Sequence, residues 1–493
     1  MKKIAAAMLL FALCMAACGA QAFTMTGLET ELVDRSWEDN AFFARMEALT
    51  GVQAAAHGMN DKAKYQEMLE GMLRGEVVVD ALFKANLSRE MEIALLDSGA
   101  IIDLAPLIGE NMPNLSALLQ AHPDWRGSIA LEDGRIASLP LLNEKERQVC
   151  LWINRAWLDK LGLETPRTTA ELTDALLAMM GGDPNGNGRN DEIGADLLGV
   201  YEMRWLLPYF GIVADDYNLA RDEQGQIVFA PELEGYRAFI ELLADWYARG
   251  ILREDAFTGM HSTAVLSGSD DETVVSALML SVTPYTHVPA EAVSGYEPLL
   301  LAGPDGRVRW RDLLGEVWTG CFAVTSRCED PAQALRWVDA LYGEEGALLG
   351  YAGVEGEDYT VGADGRWAFS TTSRRDVTTI RAEVLMYTGT AMPGLYPADF
   401  IYRVDSAVDQ HVFTASERVR AVSERVTQPY VLGAAQQARA DELAAVIGDL
   451  VDRGIARFAT GEEALTDESY AAWLETLRAA GSGELTALFA QAK

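Results

Sequence analysis

Helical stripes and strand-type runs alternate along this chain from residue 24 onward, and that alternation leaves few architectures open. Residues 62–74 set Tyr65, Met68, Leu69, Met72 and Leu73 at helical spacing, and Gly75 follows as a stop. Thr168 with Glu171 forms a capping box ahead of Leu172, Leu176 and Leu177. Leu233, Tyr236, Phe239, Ile240, Leu243 and Tyr247 make another stripe, closed by Gly250. Asp330-Pro331 opens a further helix carrying Leu335, Val338, Leu341 and Tyr342. Between these lie the opening "FTMT" and the short apolar runs "RIASLP", "VCLWIN", "TVVSALML" and "CFAVTS", which read as strands. Asp-Gly pairs at 133–134, 305–306 and 364–365 sit between strand-like flanks, where hairpin turns favour them. From about residue 415 the pattern is almost wholly helical. The chain is therefore a mixed α/β protein with a helical C-terminus and no internal repeat. Its 493 residues suffice for two or three domains.

The first residues speak to location. Lys2 and Lys3 precede "IAAAMLLFALCMAA", an apolar run too short to span a bilayer as a mature helix. The break "MAAC" resembles a bacterial lipobox, with Met15 where leucine is usual; residues 1–17 are then the signal and Cys18 the lipidated N-terminus. A plain secretory signal cut after Ala20 or Ala22 is the alternative. No later segment approaches the roughly 20 apolar residues of a membrane helix. The expectation is a body held by lipid on the extracytoplasmic face of the cell membrane. The balance of 40 Lys+Arg against 74 Asp+Glu, net −34, suits an exported protein and opposes nucleic acid. Cys150, Cys321 and Cys328 remain beyond the signal. Buried free thiols are expected, with a Cys321–Cys328 bridge left open.

"DPNGNGRNDEIG" gathers oxygen ligands in one turn. Asp183, Asn185 and Asn187 fall at loop positions 1, 3 and 5, with Gly188 at 6, where a sharp turn requires no Cβ. Arg189 offers its carbonyl from position 7 and Asp191 stands at 9. An EF-hand then wants a bidentate Glu at 12, which here is Gly194; Glu192, at 10, is the substitute. The loop reads as a structural calcium site, against the plainer reading of a polar Asn-Gly turn. Nothing beside it suggests an activated water.

Catalytic signatures are missing. The chain contains no G-x-x-x-x-G-K-[ST], G-x-S-x-G, S-x-x-K or H-E-x-x-H. His57, His122, His261, His287 and His411 are scattered, without ligand spacing.

In order along the chain, a lipoprotein signal is followed by "NAFFARMEALTGV", "EMLEGMLRGEVVVDALF", "GAIIDLAPLI" and "DGRIASLP". Then come "LWINRAWLDKLGLETPRTTAEL", the calcium-type loop, "CFAVTSRCEDPAQALRWVDALYGEEG" and "YAGVEGEDYTVGADGRWAF". This series resembles the extracellular solute-binding proteins, family 1, of bacterial ABC importers, and the loop makes it most similar to the oligosaccharide-binding lipoprotein branch. The resemblance implies a class II periplasmic-binding-protein-like fold, two α/β lobes around a hinged cleft. Residues 24–140 and 315–372 would build lobe 1, and 145–310 and 375–493 lobe 2. The hinge would lie near Leu139–Leu142, Val317–Gly320 and Ser370–Arg375. The function implied is capture of a carbohydrate by a monomeric binding protein and delivery to permease subunits, without catalysis.

Sugar pockets pair flat aromatics with polar rims. Trp157, Trp246 and Trp337 lie in helical patterns and read as packing, whereas Trp37, Trp205, Trp318, Tyr285 and Tyr396 fall near strand ends, loops or the implied hinge. These five are the ligand candidates, and Trp318 leads them; Lys84 and Phe83, after "VVVD", are weaker rim candidates for the ligand. Arg374 and Arg375 would meet an anionic sugar or form a solvated pair, and the acidic net charge favours a neutral oligosaccharide. Two other readings are a secreted, calcium-stabilised glycoside hydrolase with paired carboxylates and a binding protein feeding a sensor kinase.

Overall fold

The structure, a computed structural model, describes residues 22–29, 36–131, 133–145, 147–258, 274–312, 316–427 and 432–491. The signal, Cys18 and His261 lie outside the described residues. Ten strands make the two larger sheets: β1 (Phe23–Leu28), β2 (Ala54–Met59), β3 (Ala81–Phe83), β4 (Leu139–Leu142), β5 (Cys150–Asn154), β6 (Ile193–Asp196), β7 (Ser276–Ser281), β8 (Tyr296–Pro298), β9 (Val317–Val324) and β10 (Gly394–Leu395).

The chain divides into two compact units. Unit 1 takes residues up to Glu144 and then Glu316–Arg403; unit 2 takes Lys145–Gly315 and Val404–Lys493. The third passage between units therefore falls at 403/404, not at Ser370–Arg375, and residues 375–403 belong with unit 1. The reason is pairing and packing. Strand β10 bonds in parallel to β4, and the helix Val377–Val384 buries Ile380 and Val384 in unit 1.

Unit 1 carries the sheet β10-β4-β9-β3-β1-β2. Its strands are parallel except β9, which runs antiparallel between β3 and β4. Buried on both faces, such strands read as nearly unbroken apolar runs, as "ALF" and "LPLL" do. The helix Lys62–Leu73 begins where Asp61 accepts the N–H groups of Ala63 and Lys64, and it buries Tyr65, Leu69 and Met72. A second cluster stacks Phe42, Phe43, Phe83 and Trp337 with ring centroids 5.2–6.3 Å apart.

Unit 2 carries β8-β5-β7-β6, with β5 antiparallel to both neighbours and β6 parallel to β7. The helix Thr169–Gly181 is capped by Thr168, which accepts the Glu171 N–H, while Glu171 accepts the Arg167 N–H. The helix Glu234–Ala248 buries Tyr236, Phe239, Ile240, Leu243 and Trp246, the expected stripe. Helices Ala407–Arg420, Ala434–Thr460, Asp467–Ala479 and Ser482–Gln491 supply the helical C-terminus. Cys150, Cys321 and Cys328 are free thiols, the first two buried. No helix among the described residues is long and apolar enough to cross a membrane.

One ionic group sits inside unit 1. Lys84 Nζ lies 3.2 Å from both carboxylate oxygens of Glu29 and donates to the Thr388 carbonyl at 2.8 Å, while Trp37 Nε1 donates to Glu29 at 2.9 Å. Neither charged side chain is exposed. Removing one member of such a pair strands the other in low dielectric. Lys84→Ala is therefore expected to cost about 3 to 5 kcal/mol in urea unfolding. The joint replacement Lys84→Met with Glu29→Gln is expected to recover most of that loss.

Candidate functional site

In an open α/β sheet, ligands collect outside the carboxyl ends of the strands, where successive connections leave in opposite directions. Unit 1 has such a point at β1, which has β2 on one side and β3 on the other. Glu29 follows β1, Lys84 follows β3, Asn143 follows β4 and Tyr396 follows β10. Because β9 is antiparallel, its amino end reaches the same edge, with Val317 opposite Leu142 and Trp318 opposite Leu141. Three of the sequence candidates, Lys84, Tyr396 and Trp318, thus share one sheet edge.

They do not share an environment. Trp318 is 37% exposed, a large aromatic left in the open. Tyr396 is half-buried; its N–H donates to the Leu142 carbonyl at 2.7 Å, and its ring meets Tyr351 edge-on at 5.0 Å. Tyr351 stacks on Tyr387 at 5.2 Å, and Tyr396 lies 6.3 Å from Tyr402, so four tyrosines run together. Sequence reasoning missed Tyr351, Tyr387 and Tyr402: Tyr387 opens "YTGTAMPGLYP", the stretch that ends on Tyr396-Pro397, while Tyr351 and Tyr402 lie outside it. Trp37 and Lys84 are corrected as ligand candidates. Trp37 packs against Phe43 and Phe83 with its indole N–H on Glu29, and Lys84 is spent on the ion pair. Phe83 is likewise buried in the core.

In unit 2 the carboxyl ends of β6, β7 and β8 and the amino end of β5 share an edge. Tyr285, beyond β7, is 41% exposed, and Arg147 donates to its hydroxyl at 3.3 Å while lying 5.6 Å from the Phe413 ring centroid. Trp205 is corrected to core: it is buried against Trp310, with the Arg311 guanidinium 5.2 Å from its ring. Trp157, Trp246 and Trp337 pack inside, as expected. Arg375 is taken up by Asp358 and Glu383.

The oxygen-rich loop follows the helix Thr169–Gly181. Asp183 adopts φ +45° and accepts the Gly188 N–H, and the oxygens of Asn185 and Asn187 accept the N–H groups of Asn187 and Arg189. Both asparagine amides donate to Asp191 at 2.9 Å. These bonds draw the Asp191 carboxyl below its usual range against the upward push of burial. Glu192 is the contrast. Both its oxygens are buried without a hydrogen-bond partner, and burial, helped by the charges of Asp191 and Asp183, raises its carboxyl. An unpartnered buried carboxylate beside two more acids suits a hard divalent cation. Among the described residues no three His, Cys, Asp or Glu side chains already converge as a metal cluster; the loop's remaining donors are Asn and backbone oxygens.

The two α/β units and their crossings are the fold of the solute-binding proteins of ABC transporters. Among solved structures it matches the HMO-binding solute-binding protein of Bifidobacterium longum infantis at a TM-score of 0.80 and 18% identity, over 96% of this chain and 98% of that one. The FusA EF-hand mutant of Streptococcus pneumoniae in complex with fructo-nystose aligns at a TM-score of 0.75 and 20% identity, over 96% and 98%. Alginate-binding protein AlgQ2 without calcium ion aligns at 0.70 and 18%, again over 96% and 98%. In sequence the chain is 29% identical over 277 residues to FusA, a fructooligosaccharide ABC transporter substrate-binding protein. That alignment covers 53% of this chain and 50% of FusA, so the chain spans about half the length of the curated relative it matches. No protein-family model matches. The resemblance read from the sequence, to the solute-binding proteins of ABC importers, holds on these matches.

Asp196, at the carboxyl end of β6, is buried with Ser276 donating to it at 2.9 Å, and burial pushes its carboxyl up to about 6. Asp215 is raised to about 6 in the same way. The folded chain then keeps protons that the unfolded chain releases near pH 4. Stability from these groups falls as pH rises from about 4 to 6 and is level above. Asp196→Asn is expected to stabilise the protein at pH 7.5, by about 3 kcal/mol at most, and to change little at pH 4. Urea titrations at the two pH values check this.

Proposed function

We propose that this chain is the extracytoplasmic substrate-binding lipoprotein of an ABC importer. It captures a neutral oligosaccharide and delivers it, as a monomer, to permease subunits in the membrane. The observation that carries the reading is Trp318: an open indole at the carboxyl edge of a sheet whose fold is shared with solute-binding proteins along almost the whole chain. A sugar ring has an apolar face that stacks on such a surface and a hydroxyl rim that takes hydrogen bonds. Tyr396, on the same sheet edge as Trp318, is the further ligand contact we assign. Binding energy favours the liganded conformation through the contacts made there, and no bond is made or broken. The relatives are named as substrate-binding and solute-binding proteins, which accords with the missing catalytic motifs. Cys18 carries the lipid that tethers the body to the outer face.

Calorimetric titration with fructo-nystose and with other neutral oligosaccharides tests the reading. Binding of one glycan class is expected, and Trp318→Ala is expected to weaken it by about tenfold to a hundredfold, the worth of a stacked ring in a desolvated contact. An unchanged affinity in Trp318→Ala would remove Trp318 from the site.

The calcium of this proposal would be held by the Asp183, Asn185, Asn187, Asp191 and Glu192 side chains and the Arg189 carbonyl. When bound it neutralises the gathered carboxylates and ties the loop together. A chelator is expected to lower the melting temperature of the wild type and to leave Glu192→Gln unmoved. At a hundredfold excess over its dissociation constant, calcium would stabilise by about 2.7 kcal/mol. Its affinity should weaken as pH falls through the raised Glu192 carboxyl, because proton and metal compete for that group.

A further inference from the structure

Glu92, in the helix Arg89–Asp97, is wholly buried, and burial pushes its carboxyl up against the pull of Arg89, Ser138 and the Gly320 N–H. Arg89 bridges Glu92 at 3.0 Å and the Ala130 carbonyl at 2.8 Å. Ser138 Oγ donates to Glu92 Oε1 and accepts the Gly320 N–H at 2.8 Å. A buried carboxylate, a hydroxyl and a backbone amide thus form one bonded chain inside unit 1.

That chain ends in a β-bulge. The register of β9 on β4 shifts between Trp318, opposite Leu141, and Phe322, opposite Leu139, so three residues of β9 face Pro140 alone. Pro140 has no N–H to give to the ladder, which is where a sheet tolerates an irregularity. Within the bulge Gly320 takes φ +75°, and a Cβ there would lie 2.2 Å from the Leu87 carbonyl oxygen. The Gly320 carbonyl accepts the Leu87 N–H at 3.1 Å, and Cys321 Sγ donates to the Trp318 carbonyl at 3.2 Å. The Gly320 N–H is the one Ser138 takes. A bulge redirects the side chains beside it, and Trp318 is the first residue on its exposed side.

We infer that Ser138 and Glu92 are positioning residues, whose bonds to Gly320 hold the bulge that presents Trp318 to ligand. This rests on Trp318 as a ligand contact, proposed above. The two residues touch no ligand; they fix the conformation from which the indole is offered. Without Ser138 Oγ, a buried amide and a buried carboxyl both lose a partner, and the bulge samples alternatives.

The protein labelled with 5-fluorotryptophan separates the two ideas by 19F NMR, with the Trp318 resonance assigned from Trp318→Phe. The account expects one sharp Trp318 line in wild type, and a split or broadened one in Ser138→Ala while the other tryptophans keep their shifts. Glu92→Gln, which still offers Ser138 an acceptor, should keep the single line and guards against a Ser138→Ala variant that fails to fold. An unchanged Trp318 line in Ser138→Ala overturns the positioning role, as does a general loss of dispersion in Ser138→Ala together with a disturbed Trp318 line in a folded Glu92→Gln. Fructo-nystose is then titrated into the same samples. A shift of the Trp318 line, weakened roughly fivefold to tenfold in Ser138→Ala, joins the network to binding. Saturable binding that leaves the Trp318 line unmoved overturns Trp318 as a contact, and the functional half of the inference with it.

Discussion

Unit 1 depends on a strand that arrives late. Between β3 and β4 there is no neighbour until the chain returns at Val317, after the first stretch of unit 2, and lays β9 antiparallel into the gap. Until then β4 has no bonded link to β3, β1 and β2, and β10, which follows later, joins them only through β4 and β9. The insertion also sets the chemistry of the edge. A parallel strand there would have brought its carboxyl end to the site; the antiparallel one brings its amino end, and with it Trp318. Non-local pairing of this kind is closed late and slowly, yet it fixes the candidate site within a single sheet.

Buried charge is handled in two ways. Glu29 is matched by the Trp37 indole N–H and by Lys84, which also donates to the Thr388 carbonyl, and that edge position is thereby filled by the protein's own side chains. Glu92 is matched by an arginine and a serine and serves the backbone. Glu192 alone of these three has two buried oxygens with no hydrogen-bond partner, in a loop already crowded with acids. The two satisfied carboxylates hold structure together, and the calcium proposal rests on the third.

Much of the fold was legible because its periodicities are strong. The stripes at 62–74 and 233–247, the Thr168 cap and the runs at 149–154 and 321–326 all formed the expected elements. The site was less legible, for a physical reason. Trp37, Trp205 and Trp318 each sit near an element end, and local sequence carries no mark of whether a strand from elsewhere will cover an indole. Phe83 and Phe43 cover Trp37, Trp310 covers Trp205, and a three-residue bulge leaves Trp318 open. Lys84 looked like a rim residue because its partner, Glu29, lies 55 positions away. The resemblance put residues 375–403 in lobe 2, and the two-residue strand β10 is too short to announce its pairing with β4. The Asp-Gly turns at 133–134, 305–306 and 364–365 held, each with its glycine at positive φ, because that requirement is local.

The central claim is capture without conversion. The most direct measurement is thermal unfolding of the mature chain against a panel of neutral and acidic oligosaccharides, with each glycan recovered and sized afterwards. The account predicts a rise in melting temperature with one class of neutral oligosaccharide, and that glycan recovered intact after prolonged incubation. Shortened glycan, or stabilisation by none of the panel, would contradict it.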